Sequence, residues 1–193
     1  APLWATAYIL LVLPYLAVAI VGYFYPRYVQ VLGIGGGAGR ASERTAESGK
    51  HVVTKLLAVL LIALLAVSAY GNRFMVDDAF ISFRFARNLA RGVGLVFNPG
   101  ERVEGYTNFL WVLLLAGGLR LGWPPEIISA VLGVACFAGT LIFWYQTARR
   151  VLPSARWALV TVFLIGTQYT VWSFATSGLE TSLQVSLFSA AFW

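Results

Sequence analysis

The chain has 193 residues, 59% of them hydrophobic and 11% charged, and 14 basic against 8 acidic residues leave it at +6. Soluble domains carry roughly 45–50% apolar and about 25% charged residues, so the soluble globular, disordered, collagenous and disulfide-rich secreted classes are excluded and an integral membrane protein is expected. The lone cysteine, Cys136, has no intrachain disulfide partner. The basic excess is expected to meet membrane lipids, and with no long basic run and no basic–aromatic interleaving, no nucleic acid partner is expected.

A helix that crosses a bilayer needs about 20 mostly apolar residues. Leu3–Phe24 is uncharged and predicts a spanning helix, kinked at Pro14, with Trp4, Tyr23 and Tyr25 at the interfaces. It forms an extra N-terminal transmembrane segment within residues 1–25. Residues 26–55 contain Gly33–Gly39 and read as a glycine-rich cytoplasmic linker. A phosphate-binding reading of those glycines lacks the strand and helix that such a loop requires. Residues 56–193 then form one membrane module. Leu56–Tyr70 is its first apolar run, long enough to span only if Val52–Lys55 joins it.

Ala79–Arg91 predicts an amphipathic helix lying in the interface, with Arg84, Arg87, Asn88 and Arg91 on one stripe and Ile81, Phe85 and Leu89 on another. Asn98-Pro99-Gly100-Glu101 predicts a tight turn. Phe109–Leu119 is short, cut by Gly117–Gly118 and closed by Arg120, which suits a re-entrant or interfacial helix. Ile127–Gln146 and Trp157–Phe174 predict two further spans. Ser182–Trp193 begins another and stops within it, the pattern of a fragment. The expected fold is an all-α polytopic membrane protein of about five transmembrane helices, with interfacial or re-entrant helices in an external loop.

Placing Arg27, Arg40, Arg44, Lys50, Lys55, Arg149, Arg150 and Arg156 in the cytoplasm puts the loop 72–107 outside. If Phe109–Leu119 does not cross, Glu180 emerges on the same face as Asp77 and Asp78. The adjacent carboxylates Asp77 and Asp78 have three readings. One of two like charges in a partly desolvated site holds its proton more tightly and can serve as a general base. The pair can supply hard oxygen ligands to a divalent cation. Or it is an acidic helix cap. The arginine stripe suits phosphate, whether of a lipid headgroup or of a substrate, because the guanidinium fork matches phosphate oxygens in pairs. Glu104, Tyr106 and Asn108 can hydrogen-bond sugar hydroxyls or anchor the loop. Glu180, between two apolar segments, is either a functional carboxylate or an interfacial one. His51 is the only histidine, and serine-hydrolase, zinc-protease and thiol-redox motifs are missing.

Asp77-Asp78-Ala79-Phe80-Ile81-Ser82-Phe83-Arg84-Phe85-Ala86-Arg87-Asn88-Leu89 and the segment from Gly94 to Asn108 resemble the first external loop of GT-C glycosyltransferases. The likeness is greatest to the bacterial branch containing the terminal arabinofuranosyltransferases of mycobacterial cell walls. Phe109-Leu110-Trp111 and Ser177-Gly178-Leu179-Glu180 fit it too. The resemblance implies a bacterial plasma-membrane enzyme that moves a sugar, such as the pentose arabinofuranose, from a polyprenyl-phosphate donor to an envelope glycan or lipid, with inversion. It implies Asp77 as base with Asp78 as its partner, and Asp78 with Glu180 as ligands of a divalent cation. Arg84, Arg87 and Asn88 fall on the donor side, and Glu104, Tyr106 and Asn108 among the substrate contacts. In such enzymes the acidic loop directly follows the first helix, whereas here Leu3–Phe24 and the linker precede it. The alternative is a non-catalytic scaffold subunit, partnered by other membrane subunits and built on a truncated fold of the same kind. A scaffold is expected to bury the loop 72–107 and leave no open cavity beside the aspartates.

Overall fold

A computed structural model describes residues 42–193 apart from Arg102 and Glu104, with side chains from residue 52 onward. The predicted spanning helix Leu3–Phe24 and the glycines of the linker lie outside the described residues. The described elements are α1 (Ser42–Gly71), α2 (Ala79–Ala90), α3 (Phe109–Arg120), α4 (Pro125–Val151), α5 (Ala155–Gly166), α6 (Tyr169–Phe174) and α7 (Thr181–Phe192). Among the described residues there is no strand, so the all-α expectation holds for this part of the chain.

Among the described residues two helices are long and apolar enough to cross a membrane: Val52–Gly71 within α1, and Pro125–Val151. Helix α1 joins Val52–Lys55 to the apolar run, as its span requires, and starts inside the segment expected to be linker. Ala58, Ile62, Leu65 and Ala69 recur at helical spacing and pack inward, while Leu56, Leu60, Leu64 and Val67 remain exposed on the other side. Such an apolar outer surface is what a lipid environment tolerates. Helix α4 has clear boundaries. Pro124 is extended, Pro125 stands in the first turn with Glu126, and Arg149 and Arg150 occupy the last turn, a charge order that matches the helix dipole.

The predicted span Trp157–Phe174 is not one helix. It divides at Thr167–Gln168 into α5 and α6. Gly166 and the polar pair after it weaken the helix there, and the Gln168 side chain accepts a hydrogen bond from Val171 N (3.1 Å), starting a new helix. At 12 residues, α3, α5 and α7 each reach about 18 Å, short of a bilayer core of about 30 Å. Against the expectation of about five spans, two helices among the described residues are long enough to cross a membrane.

Two apolar clusters organise the packing. One joins α1, α4, α5 and the residue after α6 through Ile62, Phe137, Leu141, Trp144, Val162, Ile165 and Ala175. Small residues of α4 let its neighbours approach: a Cβ at Gly133 would lie 2.0 Å from the Ala175 carbonyl oxygen, and one at Gly139 3.1 Å from Ser186 Oγ on α7, where Trp144 Nε1 also donates to Ser189 Oγ (3.0 Å). The other cluster packs α2 on α3, with Phe83, Phe85, Trp111, Val112 and Leu115 fully buried. This second cluster carries the polar loop.

Candidate functional site

Three helix N-termini meet at one cavity. Asp78, Asn108 and Glu180 are the N-cap residues of α2, α3 and α7, and none of them bonds its own helix through its side chain. All three line an open cavity of about 550 Å³, together with Ile81, Ser82, Gly105, Tyr106, Thr107 and Leu179. The positive ends of three helix dipoles thus face two carboxylates. The expected capping role is corrected for Asp78: its carboxylate accepts no bond from the first turn, which is closed by main-chain bonds such as Ile81 N to Asp78 O (3.2 Å). Asp77 and Asp78 are both exposed, and Asp77 stands outside the cavity lining.

Asn108 ties the walls together. Its amide Nδ2 donates to Ser82 Oγ (2.9 Å) on α2 and to Glu180 Oε2 (2.8 Å) at the start of α7. Its Oδ1 is buried and has no hydrogen-bond partner. Tyr106 is held beneath by Phe85, their ring centroids 4.8 Å apart.

The carboxylate of Glu180 is brought to this place by the turn before it. Ser177 O accepts from Val76 N (3.0 Å), and Gly178 O accepts from the buried indole Nε1 of Trp111 (3.0 Å). Gly178 has φ +89°, and a Cβ there would lie 2.6 Å from Ala79 Cβ and 2.8 Å from Met75 Sδ. Only glycine meets both demands. Ser177–Glu180 is thus latched to the segment before α2 and to α3, across a long stretch of sequence.

A second cavity, of about 580 Å³, lies on the other side of Ile81 and is lined by Phe80, Ile81, Arg84, Arg87, Asn88, Arg91, Phe97 and Pro99. Two of its polar residues hold the loop. Arg84 donates from Nε to Phe97 O (2.9 Å) and from Nη2 to Asn98 Oδ1 (2.7 Å), and its guanidinium lies over the Phe97 ring. Asn88 Nδ2 donates to Val96 O (2.8 Å) and Phe97 O (3.0 Å). The predicted turn is present: Glu101 N donates to Asn98 O (3.1 Å), and Gly100 has φ +89° after Pro99, as a type II turn requires.

Arg84, Arg87, Asn88 and Arg91 line this cavity together, as their shared stripe predicts. Along the apolar stripe Phe85 is buried and Leu89 half-buried, whereas Ile81, nearest the start of α2, is 41% exposed and separates the two cavities. The ridge that α3 covers is Ala79, Ser82, Phe83 and Ala86, one step around the helix. Glu104 lies outside the described residues. The sequence reading did not single out Ser82, although it stands one turn after Asp78, nor the indole of Trp111 as a ligand of Gly178. Among the described residues no group of three metal-ligating side chains occurs. Asp78 and Glu180 line the same cavity, and both offer hard carboxylate oxygens.

No family model matches the chain, and no solved structure does. Two curated proteins are similar to it. A terminal β-(1→2)-arabinofuranosyltransferase of Mycobacterium tuberculosis is 32% identical over 150 residues, which are 73% of this chain and 24% of that protein. The protein of the same name from Corynebacterium glutamicum is 29% identical over 155 residues, 75% of this chain and 22% of that protein. The chain spans about a quarter of the length of the curated relatives it matches. The likeness to terminal arabinofuranosyltransferases, read first from the polar loop, extends over about three quarters of the chain.

Proposed function

We propose, from the similarity of this chain to terminal arabinofuranosyltransferases, that it forms the acceptor-activating part of a bacterial membrane glycosyltransferase of GT-C type. The observation that carries this reading is the open cavity gathering Asp78, Tyr106, Asn108 and Glu180 from three separate helix starts. A scaffold subunit has no need of an open cavity lined by two carboxylates from separate helix starts.

The reaction is sugar transfer from a polyprenyl-phosphate donor to a hydroxyl of an envelope glycan or lipid, on the external face of the plasma membrane. Arabinofuranose is the sugar that the relatives' names suggest. A carboxylate of the Asp77–Asp78 pair takes the proton of the acceptor hydroxyl as its oxygen bonds to the anomeric carbon. The bond from that carbon to the phosphate oxygen breaks on the opposite side, so the configuration inverts and polyprenyl phosphate leaves with the electron pair. Asp78 faces the cavity, so it is the better placed of the two; Asp77 is its immediate neighbour and the residue to which the family resemblance assigns the base. Asn108 and Tyr106 offer hydrogen bonds to sugar hydroxyls. Arg84, Arg87 and Asn88 lie towards the donor phosphate, where cationic groups stabilise the departing charge. A divalent cation held by Asp78 and Glu180 would add to that stabilisation when bound.

The test is transfer of a radiolabelled pentose from its polyprenyl-phosphate donor by membranes carrying the full protein. Asp78→Asn is expected to lower the rate by about a hundredfold or more, the ordinary worth of a general base, with normal membrane insertion. A comparable loss in Asp77→Asn with Asp78→Asn active moves the base by one residue. Full activity in both variants overturns the reading.

A further inference from the structure

Asn108 spends its side chain away from its own helix. An asparagine at a helix start ordinarily turns its amide back to the first N–H groups and caps them. Asn108 opens α3, yet that turn is closed by the main chain, with Val112 N donating to Asn108 O (3.1 Å), and the side chain bonds nothing there. It reaches outward instead. Nδ2 gives one proton to Ser82 Oγ (2.9 Å), 26 residues back on α2, and the other to Glu180 Oε2 (2.8 Å), 72 residues ahead at the start of α7. An ionised carboxylate only accepts, so the amide nitrogen is the atom that faces Glu180. Oδ1 is then turned inward, buried and unpaired. The residue forgoes a cap and strands an acceptor, two local losses of the kind that mark functional positions.

The gain falls on Glu180. The Ser177–Glu180 turn sets where its main chain stands, but rotatable bonds separate that backbone from the carboxylate. Among the described residues Asn108 is the side chain that bonds the carboxylate and selects one orientation for it. Ser82 does the same for Asn108: it is 4% exposed, fixed on α2 one turn after Asp78, and lines the same cavity.

We propose that Asn108 is a positioning residue: anchored on Ser82, it holds the Glu180 carboxylate in one orientation at the acidic cavity and leaves Oε1 for the occupant. It acts on the reaction through Glu180, and a direct bond from Asn108 to a sugar hydroxyl is made only by exchanging one of its two partners. The effect on turnover rests on the glycosyltransferase reading; the clamp itself does not.

Two measurements on the full protein test it. The first is the rate of pentose transfer by membranes carrying Asn108→Ala, Glu180→Gln or both. Asn108→Ala is expected to slow transfer by about tenfold to a hundredfold, the effect of misplacing a working group. Glu180→Gln should cost little more in that background, because the two residues act as one unit. Losses that multiply put Asn108 in direct contact with substrate and overturn the clamp, as does full activity in Asn108→Ala. Ser82→Ala removes only the anchor; it should give a fewfold loss with the same non-additivity, and it repeats the test if alanine at position 108 prevents folding. The second measurement needs no turnover. At mildly alkaline pH Asn108→Asp sets two carboxylates against each other and should lower the thermal midpoint of the purified protein. Adding Glu180→Gln restores the bond with donor and acceptor exchanged, while Ser82 turns its hydroxyl to donate, and the midpoint should recover. No recovery overturns the clamp. A parent protein that transfers no pentose sinks the transferase reading alone, and the midpoints then decide the clamp by themselves.

Discussion

The two cavities beside Ile81 are nearly equal in size, about 550 and 580 Å³, but they are assembled in opposite ways. The arginine cavity is local: every lining residue falls between Phe80 and Pro99, on α2 and the loop that folds back over it. The acidic cavity draws on residues from Asp78 to Glu180 and exists only when three helix starts come together. The local one is fixed by helical periodicity and a turn. The distributed one depends on the tertiary latch at Ser177–Glu180, so damage to the latch should separate them.

The largest separation is expected from Gly178→Ala. The new methyl meets Ala79 Cβ and Met75 Sδ below 3 Å at a backbone φ of +89°. Overpacking and left-handed backbone strain each cost about 1–3 kcal/mol. The thermal midpoint of the purified protein should fall markedly and transferase activity with it, while the loop bonds of the arginine cavity persist in folded protein and protect the Asn98–Glu101 turn from proteolysis as before. An unchanged midpoint would remove Gly178 from the latch. Trp111→Phe is milder, since it keeps most of the buried ring and deletes one donor. It leaves Gly178 O unpaired in the core, a loss of about 1–3 kcal/mol. Activity should fall less than in Gly178→Ala, and by the same route. If activity drops without any change in the midpoint, the indole is acting on substrate instead of on the turn.

This difference also decides what the sequence could reveal. The arginine stripe, the Asn98–Glu101 turn and the two long apolar helices follow from spacings within one segment, and all are present in the structure. The proximity of Glu180 to Asp78 was reachable only through the count of membrane crossings, because no local pattern connects residues so far apart. Ser82 and the Trp111 indole act through partners in other segments, which periodicity cannot supply. Which members of the Ile81, Phe85 and Leu89 stripe become buried is set by α3, and only the partner helix supplies that information. The break after Gly166 had its signal in Gly166-Thr167-Gln168, but the apolar residues on both sides masked it. A side chain that replaces a lost backbone acceptor, as Gln168 does, leaves little trace in hydropathy.

The smallest expected effect tests the local cavity in isolation. Arg84→Gln removes two hydrogen bonds and the stacking on Phe97, all of which tie the Phe97–Asn98 segment to α2. The side chain is exposed, so the net loss is about 1 kcal/mol and confined to the loop. Asn88 still holds Val96 and Phe97, and keeps the loop from detaching altogether. Limited proteolysis near the Asn98–Glu101 turn should therefore quicken a fewfold while the thermal midpoint barely moves. A large fall in the midpoint would show that the two cavities share more than Ile81. The distributed site would then lean on the local one, through the Phe85 ring that touches both Phe97 and Tyr106.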